Sequence, residues 1–269
     1  MKTYKLLIPI VILCSLFNSS CTTENTESIE NKTFNFKGKI LDVHNMPIEN
    51  ASIVIGETEV FSDVNGNFYL NELEISTDIT KVKVKKEGYI NGLRLLSELE
   101  EENNIELSLL NKLTTSIINP FGDTIIHLLG HFSLLIYDGH FIKEDGSIVS
   151  ELIFPITHHI FPSNPILNTV IPGNYENNEE IFGLAYVSLE REEQIFDLAE
   201  GNSITLQFTI EDSMVSNAPE TINIWNFNEE TGDWLVLGEA TKEYILSGDK
   251  WIYRAQVSSF LNPWFKIKI

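Results

Sequence analysis

The chain has 269 residues, 43% of them hydrophobic, and its 39 acidic and 18 basic side chains give a formal net charge of −21. This length and apolar content are enough for the core of one large or two ordinary domains. The negative charge argues against nucleic acid as a partner, because that binding depends on neutralising phosphates, and against electrostatic docking on anionic lipid.

The first 20 residues have the pattern of an export signal. Two lysines precede the apolar run 6–17, and small polar residues at 18–20 come directly before Cys21. A basic tip, a short apolar core and small residues before a cleavage point are typical of a secretory signal peptide. The core is shorter than the roughly 20 apolar residues that span a bilayer. We therefore expect residues 1–20 to be removed.

The small residues followed by Cys21 resemble the lipobox of bacterial lipoproteins, with Asn18 in place of the usual aliphatic residue. The resemblance implies cleavage before Cys21 and acylation of its thiol and new amino group. Cysteine counting agrees, since Cys14 lies in the signal and Cys21 alone remains, which leaves no disulfide. The alternative is an ordinary cleaved signal followed by a chance cysteine.

A lipid at Cys21 predicts a membrane anchor in the cell envelope. Two or more acyl chains hold a protein stably at a bilayer. Thr22 follows the cysteine, whereas lipoproteins that stay in the inner membrane usually have an aspartate at this position. The resemblance therefore implies the outer membrane. We expect the protein to be either surface-exposed or facing the periplasm. Residues 21–33 are polar without apolar periodicity and are predicted to be a flexible tether.

Residues 34–111 are predicted to form a β-sandwich. Apolar and polar residues alternate from Phe34 to Gly38, in 51–55 and in 81–85, as half-buried strands require. Residues 63–67 supply the left-handed positions of a hairpin turn. This turn superficially suggests a calcium loop, but the spacing and the distal glutamate of an EF-hand are missing.

The residues of this segment resemble the carboxypeptidase regulatory-like module. The matching positions are Gly38, Asp42, Pro47, Ala51, Val54, Ser62, Asp63, Asn65, Gly66, Phe68, Gly88 and Tyr89. The resemblance implies a seven-stranded, transthyretin-like β-sandwich in an extracytoplasmic setting. It does not imply peptidase activity, because in zinc carboxypeptidases the module accompanies a separate catalytic domain.

Residues 112–269 are predicted to form a second, larger β-sandwich. Apolar runs of strand length are separated by glycine-containing turns at short spacing, which favours a sandwich or barrel and an all-β protein. One brief helix is possible at 194–198, before Gly201. The strand-turn-strand pattern of 218–234 and the run 257–264 resemble the β-sandwich of cartilage intermediate layer protein-like secreted proteins, which implies an extracellular structural or interaction role.

Two features of composition allow more than one interpretation. The tryptophans are either core residues, because each buries a large apolar area, or an aromatic platform for sugar; they are Trp225, Trp234, Trp251 and Trp264. The acidic runs are predicted to be solvated loops, with weak divalent-cation binding as the alternative; they are 98–102, 176–180 and 190–193.

The histidines do not predict a metal site. They are His44, His127, His131, His140, His158 and His159. None belongs to an H-E-x-x-H motif, none has a glutamate three residues later, and adjacent histidines on a strand point to opposite faces. A zinc site needs three or four converging ligands, so we predict no metal and no cofactor.

The sequence also lacks a recognisable nucleophile motif. No G-x-S-x-G elbow occurs. Gly130 to Ser133 resembles the His-Phe-Ser site at which some β-sandwich domains cut themselves, but in those families it lies near the end of the domain. Here the corresponding end, 258–261, has a leucine where the attacking residue should be. We therefore predict no catalytic residue.

Together these patterns predict an outer-membrane-anchored, non-catalytic surface lipoprotein that acts as a binding or structural module of adhesion type. Its partner is a protein or glycan that the sequence does not identify. The alternative is an envelope hydrolase or carbohydrate-binding protein with a site in the C-terminal sandwich. A pocket that gathers His131, His140 or His158 with an acidic residue would favour the enzyme.

Overall fold

A computed structural model describes residues 32–75, 79–114, 116–128, 131–136, 140–174, 179–192 and 194–269. Almost every regular element in these ranges is a β-strand, which confirms the all-β prediction. Within these ranges, no helix has the length and apolar character needed to cross a membrane. The predicted signal peptide, Cys21 and most of the predicted tether lie outside the described residues.

The first seven strands form two sheets. They are β1 (Lys32–Asp42), β2 (Ser52–Ile55), β3 (Thr58–Phe61), β4 (Asn67–Ile75), β5 (Thr80–Lys85), β6 (Gly92–Leu96) and β7 (Glu102–Leu109). One sheet has the order β4-β1-β7, in which β1 is antiparallel to β4 and parallel to β7; the other has the order β3-β2-β5-β6. This arrangement confirms the predicted seven-stranded sandwich.

Alternation along the strands places apolar side chains between the two sheets. In β5, Val82 and Val84 are fully buried whereas Lys83 and Lys85 are exposed, as the sequence predicts. Both sheets contribute to one core cluster, whose largest members are Phe36 and Phe68. The sandwich is therefore held together by burial of the inward-facing half of each strand.

The turn at 63–67 links the two sheets and is not the hairpin turn that the sequence predicts. The strands on either side, β3 and β4, belong to different sheets. The Asp63 carboxylate accepts hydrogen bonds from the backbone amides of Asn65 and Asn67, each at 2.8 Å. Gly66 has a φ of 76°, and a Cβ there would lie 2.4 Å from the Ile40 carbonyl oxygen. Local capping by Asp63 thus explains the acidic residue without calcium.

Twelve strands, one single-turn α-helix and the short 3-10 helix Leu246–Gly248 follow in the described residues. The strands and the α-helix are β8 (Thr124–Leu128), β9 (Phe132–Ile136), β10 (Phe141–Ile142), β11 (Phe154–Ile160), α1 (Leu167–Val170), β12 (Ile181–Arg191), β13 (Gln194–Ile195), β14 (Asp197–Leu198), β15 (Ile204–Thr209), β16 (Thr221–Asn228), β17 (Asp233–Ile245), β18 (Lys250–Val257) and β19 (Trp264–Lys268). The helix that the sequence allows at 194–198 is wrong: Ile195 pairs with Glu190, and Phe196 and Leu198 are buried two residues apart. Strand pairing therefore outweighs local helix preference there.

Ten of these strands form one large sheet. Its order is β11-β12-β19-β16-β17-β18-β15-β9-β8, with β13 added beside β12. The terminal strands β8 and β11 contact each other, so the sheet folds over a common core. The largest core side chains are Tyr253 and the phenylalanines Phe132, Phe141, Phe182, Phe196, Phe208, Phe260 and Phe265. The larger C-terminal sandwich that the sequence predicts is thus present.

The two sandwiches share a second buried cluster, which we call the junction. Ile90, Leu93 and Leu110 of the first sandwich pack in it against Tyr186 and Trp264 of the second. The outward faces of β12 and β19 therefore lie against the first sandwich.

Backbone pairing extends the junction to the edge of β6. Gly173 donates to the carbonyl of Leu93 at 2.9 Å, and Leu95 donates to the carbonyl of Gly173 at 3.2 Å. The Arg94 guanidinium donates to the carbonyl of Asn168 at 2.6 Å. The described chain from Lys32 onward is accordingly one compact unit.

Candidate functional site

The tryptophans are neither a simple core nor an open platform. Trp264 is 3% exposed, and its ring packs edge-on against Tyr186 with centroids 5.1 Å apart. The other three are half-buried, and each has a lysine ammonium over its ring: Lys266 over Trp234 at 4.4 Å, Lys268 over Trp225 at 4.6 Å and Lys242 over Trp251 at 5.0 Å. These cation–π contacts occupy ring faces that a sugar would otherwise stack on.

Two of these lysines share one carboxylate. Glu179 accepts from Lys266 at 2.8 Å and also from Lys268. The Lys266 side chain is only 1% exposed. Burial disfavours the charged form of Glu179, but the two lysines still hold its pKa below the ordinary value. A charge as buried as that of Lys266 is retained only with such pairing.

The adjacent histidines His158 and His159 have partners within the fold. His158 bonds the carbonyl of Asn111 at 2.9 Å, and His159 lies among aromatic rings, where burial and then His131 lower its pKa to about 3. No group of three or more His, Cys, Asp or Glu side chains is arranged to hold a metal ion within the described ranges. None of the clefts that we describe below contains a histidine.

The serine of the segment that resembles a self-cleavage site contacts a histidine outside that segment. His127 Nδ1 lies 2.8 Å from Ser133 Oγ, because the two residues are directly opposite on β8 and β9. Ser133 is only 3% exposed. Gly130 of the resembling motif lies outside the described residues. The pair is a cross-strand hydrogen bond within the sheet.

The described residues contain a cleft at the junction, with a volume of about 190 Å³, which we call the junction cleft. Its floor is the outward face of β12, where Tyr186, Ser188 and Glu190 are two residues apart and so point the same way. Lys112 and the turn 89–91 also line the cleft. Glu229 and the loop between β18 and β19 complete the lining together with Ile195.

Glu190 is the most unusual group of the junction cleft. Its side chain is 10% exposed, and its Oε2 atom pairs with the Lys112 ammonium at 2.6 Å. Its Oε1 atom is buried and has no hydrogen-bond partner among the described residues. A buried acceptor without a partner costs about 1–3 kcal/mol, and more when it is charged.

The other polar groups of the cleft can also take part in hydrogen bonds. Burial, followed by the charges of Glu190 and Glu229, raises the pKa of Tyr186, so its hydroxyl stays protonated. Burial also raises the pKa of Glu229, and the charge of Lys83 opposes that effect. A second hollow of about 190 Å³ contains Lys83 and shares Asn91 and Glu229 with the junction cleft.

Sequence reasoning did not single out this cleft. Glu190 belongs to the acidic run 190–193, which is predicted to be a solvated loop; that prediction is wrong for Glu190, because it is the penultimate residue of buried strand β12. The signal that could have found it is the spacing of Tyr186, Ser188 and Glu190 at the end of a long apolar run. Cys21 lies outside the described residues, so its role stays a prediction.

No protein-family profile matches the chain, and no curated protein matches it. Among solved structures, a protein of unknown function from Bacteroides fragilis, described as membrane-associated, is 8% identical over 88% of this chain and 98% of its own, with a TM-score of 0.27. The Bacillus anthracis TIE protein is 12% identical over 88% of this chain and 45% of its own, with a TM-score of 0.26. These TM-scores are too low to support an argument about function.

Proposed function

We propose that the protein is a non-catalytic binding protein of adhesion type, anchored in the outer membrane of a bacterial envelope by a lipid on Cys21. The first sandwich is a carboxypeptidase regulatory-like module in this proposal, with a supporting role. The observation that carries the binding role is the junction cleft, where two sandwiches joined by a buried cluster leave a polar concavity between them. Rigid scaffolds of this kind position binding groups well.

The chemistry of the cleft favours an uncharged ligand rich in hydroxyl groups, so carbohydrate binding is the second candidate function. A ligand hydroxyl can donate to Glu190 and accept from Lys112, whose ammonium has three donors. A cationic ligand would be repelled by Lys112, and an anionic ligand would be repelled by Glu190 and Glu229. The protonated hydroxyl of Tyr186 supplies a further donor. The cleft is smaller than the sites of drug-sized ligands, which suits one sugar ring or the end of a chain.

A glycan array tests the binding role, with the full chain purified in detergent. Three forms are compared: the natural chain, Glu190→Gln, and Glu192→Gln as the control, since Glu192 is 85% exposed and undergoes the same charge change. We expect a defined set of glycans to bind the natural chain and the control but not Glu190→Gln. Binding that survives Glu190→Gln would contradict a role for the cleft, and cleavage of a bound glycan would contradict the non-catalytic role.

A further inference from the structure

Strand β17 is paired on both sides along only part of its length. Residues 233–241 pair with β16, whereas only residues 240–245 pair with β18 on the other side. The segment Asp233–Glu239 therefore has one backbone edge without a partner strand in the part of the chain that the structure describes. We call this segment the free edge.

The free edge exists because β18 diverges from β17. Beyond Ala255, β18 stays with β15, and Val257 pairs with Ile204. In β17, Leu237 is an extra residue between the pairs Ile224–Gly238 and Trp225–Val236. Such a bulge bends its strand and increases the local twist, so the first half of β17 turns away from the sheet.

The free edge is apolar and accessible. Leu235, Val236 and Leu237 are 53%, 52% and 39% exposed. Exposed edges are usually protected by lysine, proline or a bulge, because their free N–H and C=O groups pair with other strands. The sequence DWLVLGE contains no lysine or proline, so the bulge at Leu237 is the one such device within it. The regular part, Asp233–Val236, is left open to pairing.

The charges at its ends determine which strand the free edge can accept. Asp233 and Glu239 lie at the two ends, and Glu229 and Glu230 precede it. Pairing two copies along the whole segment would put Asp233 opposite Glu239 when antiparallel, or each acid opposite itself when parallel. Like charges directly opposite destabilise a strand pair, and the net charge of −21 adds repulsion between copies. A second copy of this chain is thus a poor occupant.

We propose that the free edge binds an extended segment of another protein by strand addition, and that this segment is apolar in its centre with lysine or arginine at both ends. The bound backbone continues the large sheet beside β17. Its apolar residues cover Leu235 and Val236, and its basic ends pair with Asp233 and Glu239. This surface is distinct from the junction cleft and needs no ligand there.

Two short synthetic peptides test the proposal on the full chain in detergent. Both alternate valine and threonine in the centre; one has lysines at both ends and the other has glutamates. Binding is followed by fluorescence anisotropy, and hydrogen exchange of the backbone amides locates it. We expect the lysine peptide to bind at least about tenfold more tightly and to slow exchange within 233–239.

Substitutions distinguish binding at the free edge from nonspecific binding elsewhere on the protein. Val236→Lys places a positive charge on the free edge. This charge repels the peptide with lysine ends and should weaken its binding about tenfold. Val64→Lys is the control, because Val64 is 67% exposed in the turn between β3 and β4. Unfolding midpoints confirm that both variants fold. Three results would each overturn the proposal. The two peptides could bind equally tightly, or the bound peptide could slow amide hydrogen exchange only outside 233–239. The protein could also self-associate in a way that Val236→Lys abolishes.

Discussion

The backbone amide of Gly173 donates to the carbonyl of Leu93 across 2.9 Å, which joins a loop of the second sandwich to the edge strand β6 of the first. Edge strands invite unwanted pairing, and here part of the same chain covers the edge. The second hollow contains Leu93, and the junction cleft is lined by residues of the same two sandwiches, so the shape of both depends on the sandwiches keeping one orientation.

Gly173→Ala should destabilise the protein through this contact. Gly173 has a φ of 80°, and a Cβ there would lie 2.7 Å from the Phe227 ring. Gly146→Ala is the matched control, because Gly146 has a φ of 79° with open space around it. The control should cost about 1 kcal/mol for the left-handed backbone, and Gly173→Ala about 2 kcal/mol more for the clash. Urea unfolding measures both; equal losses would contradict a tightly packed junction.

Lys112→Met should destabilise the protein because it leaves the Glu190 carboxylate buried without its ammonium. Lys112 is partly exposed, so we expect a loss of about 2 kcal/mol. Adding Glu190→Gln should restore most of it, since the uncompensated charge is then gone. The double-mutant cycle in urea measures this coupling, and additive losses would show that the pair contributes nothing.

The protein should lose stability as the pH falls from about 6.5, in part through His159. Burial lowers the pKa of this residue to about 3 in the folded protein, whereas an unfolded histidine titrates near 6.5. Between pH 6.5 and about 3, the unfolded chain binds a proton at His159 that the folded protein excludes. The contribution of His159 to the free energy of unfolding therefore falls by roughly 1.4 kcal/mol for each pH unit of acidification. His159→Phe should flatten the profile, and His44→Gln, at an exposed position, should leave it unchanged. Identical profiles for His159→Phe and the natural chain would contradict this account.

Cys21 should carry the lipid anchor. Cells fed a fatty acid with a clickable tag should label the natural chain and the Cys14→Ser variant, because Cys14 lies in the signal that we predict to be removed. Cys21→Ser should lose both the label and the membrane fraction. Label that persists on Cys21→Ser, or an unlabelled natural chain, would remove the anchor from the proposed function.

Local patterns predicted those parts of the fold that depend on neighbouring residues. Alternation in 81–85 correctly assigned the buried and exposed sides of β5. The failures concern pairing between distant residues. Ile195 and Leu198 are in strands because Glu190 and Phe141 provide partners, which periodicity over five residues does not reveal.

The candidate sites were less predictable than the fold for the same reason. Glu190 looks like part of an acidic surface run until β12 is placed against the first sandwich. The free edge of β17 depends on where β18 diverges, and that is decided by the pairing of β18 with β15.

The claim on which the junction cleft depends is that the two sandwiches keep one orientation. Spin labels on cysteines replacing Val64 and Leu246, both exposed and in different sandwiches, measure this directly by pulsed electron resonance in a background that carries Cys14→Ser and Cys21→Ser. The account predicts one narrow distance distribution, broadened by Gly173→Ala. A broad or multiple distribution in the otherwise natural chain would contradict it.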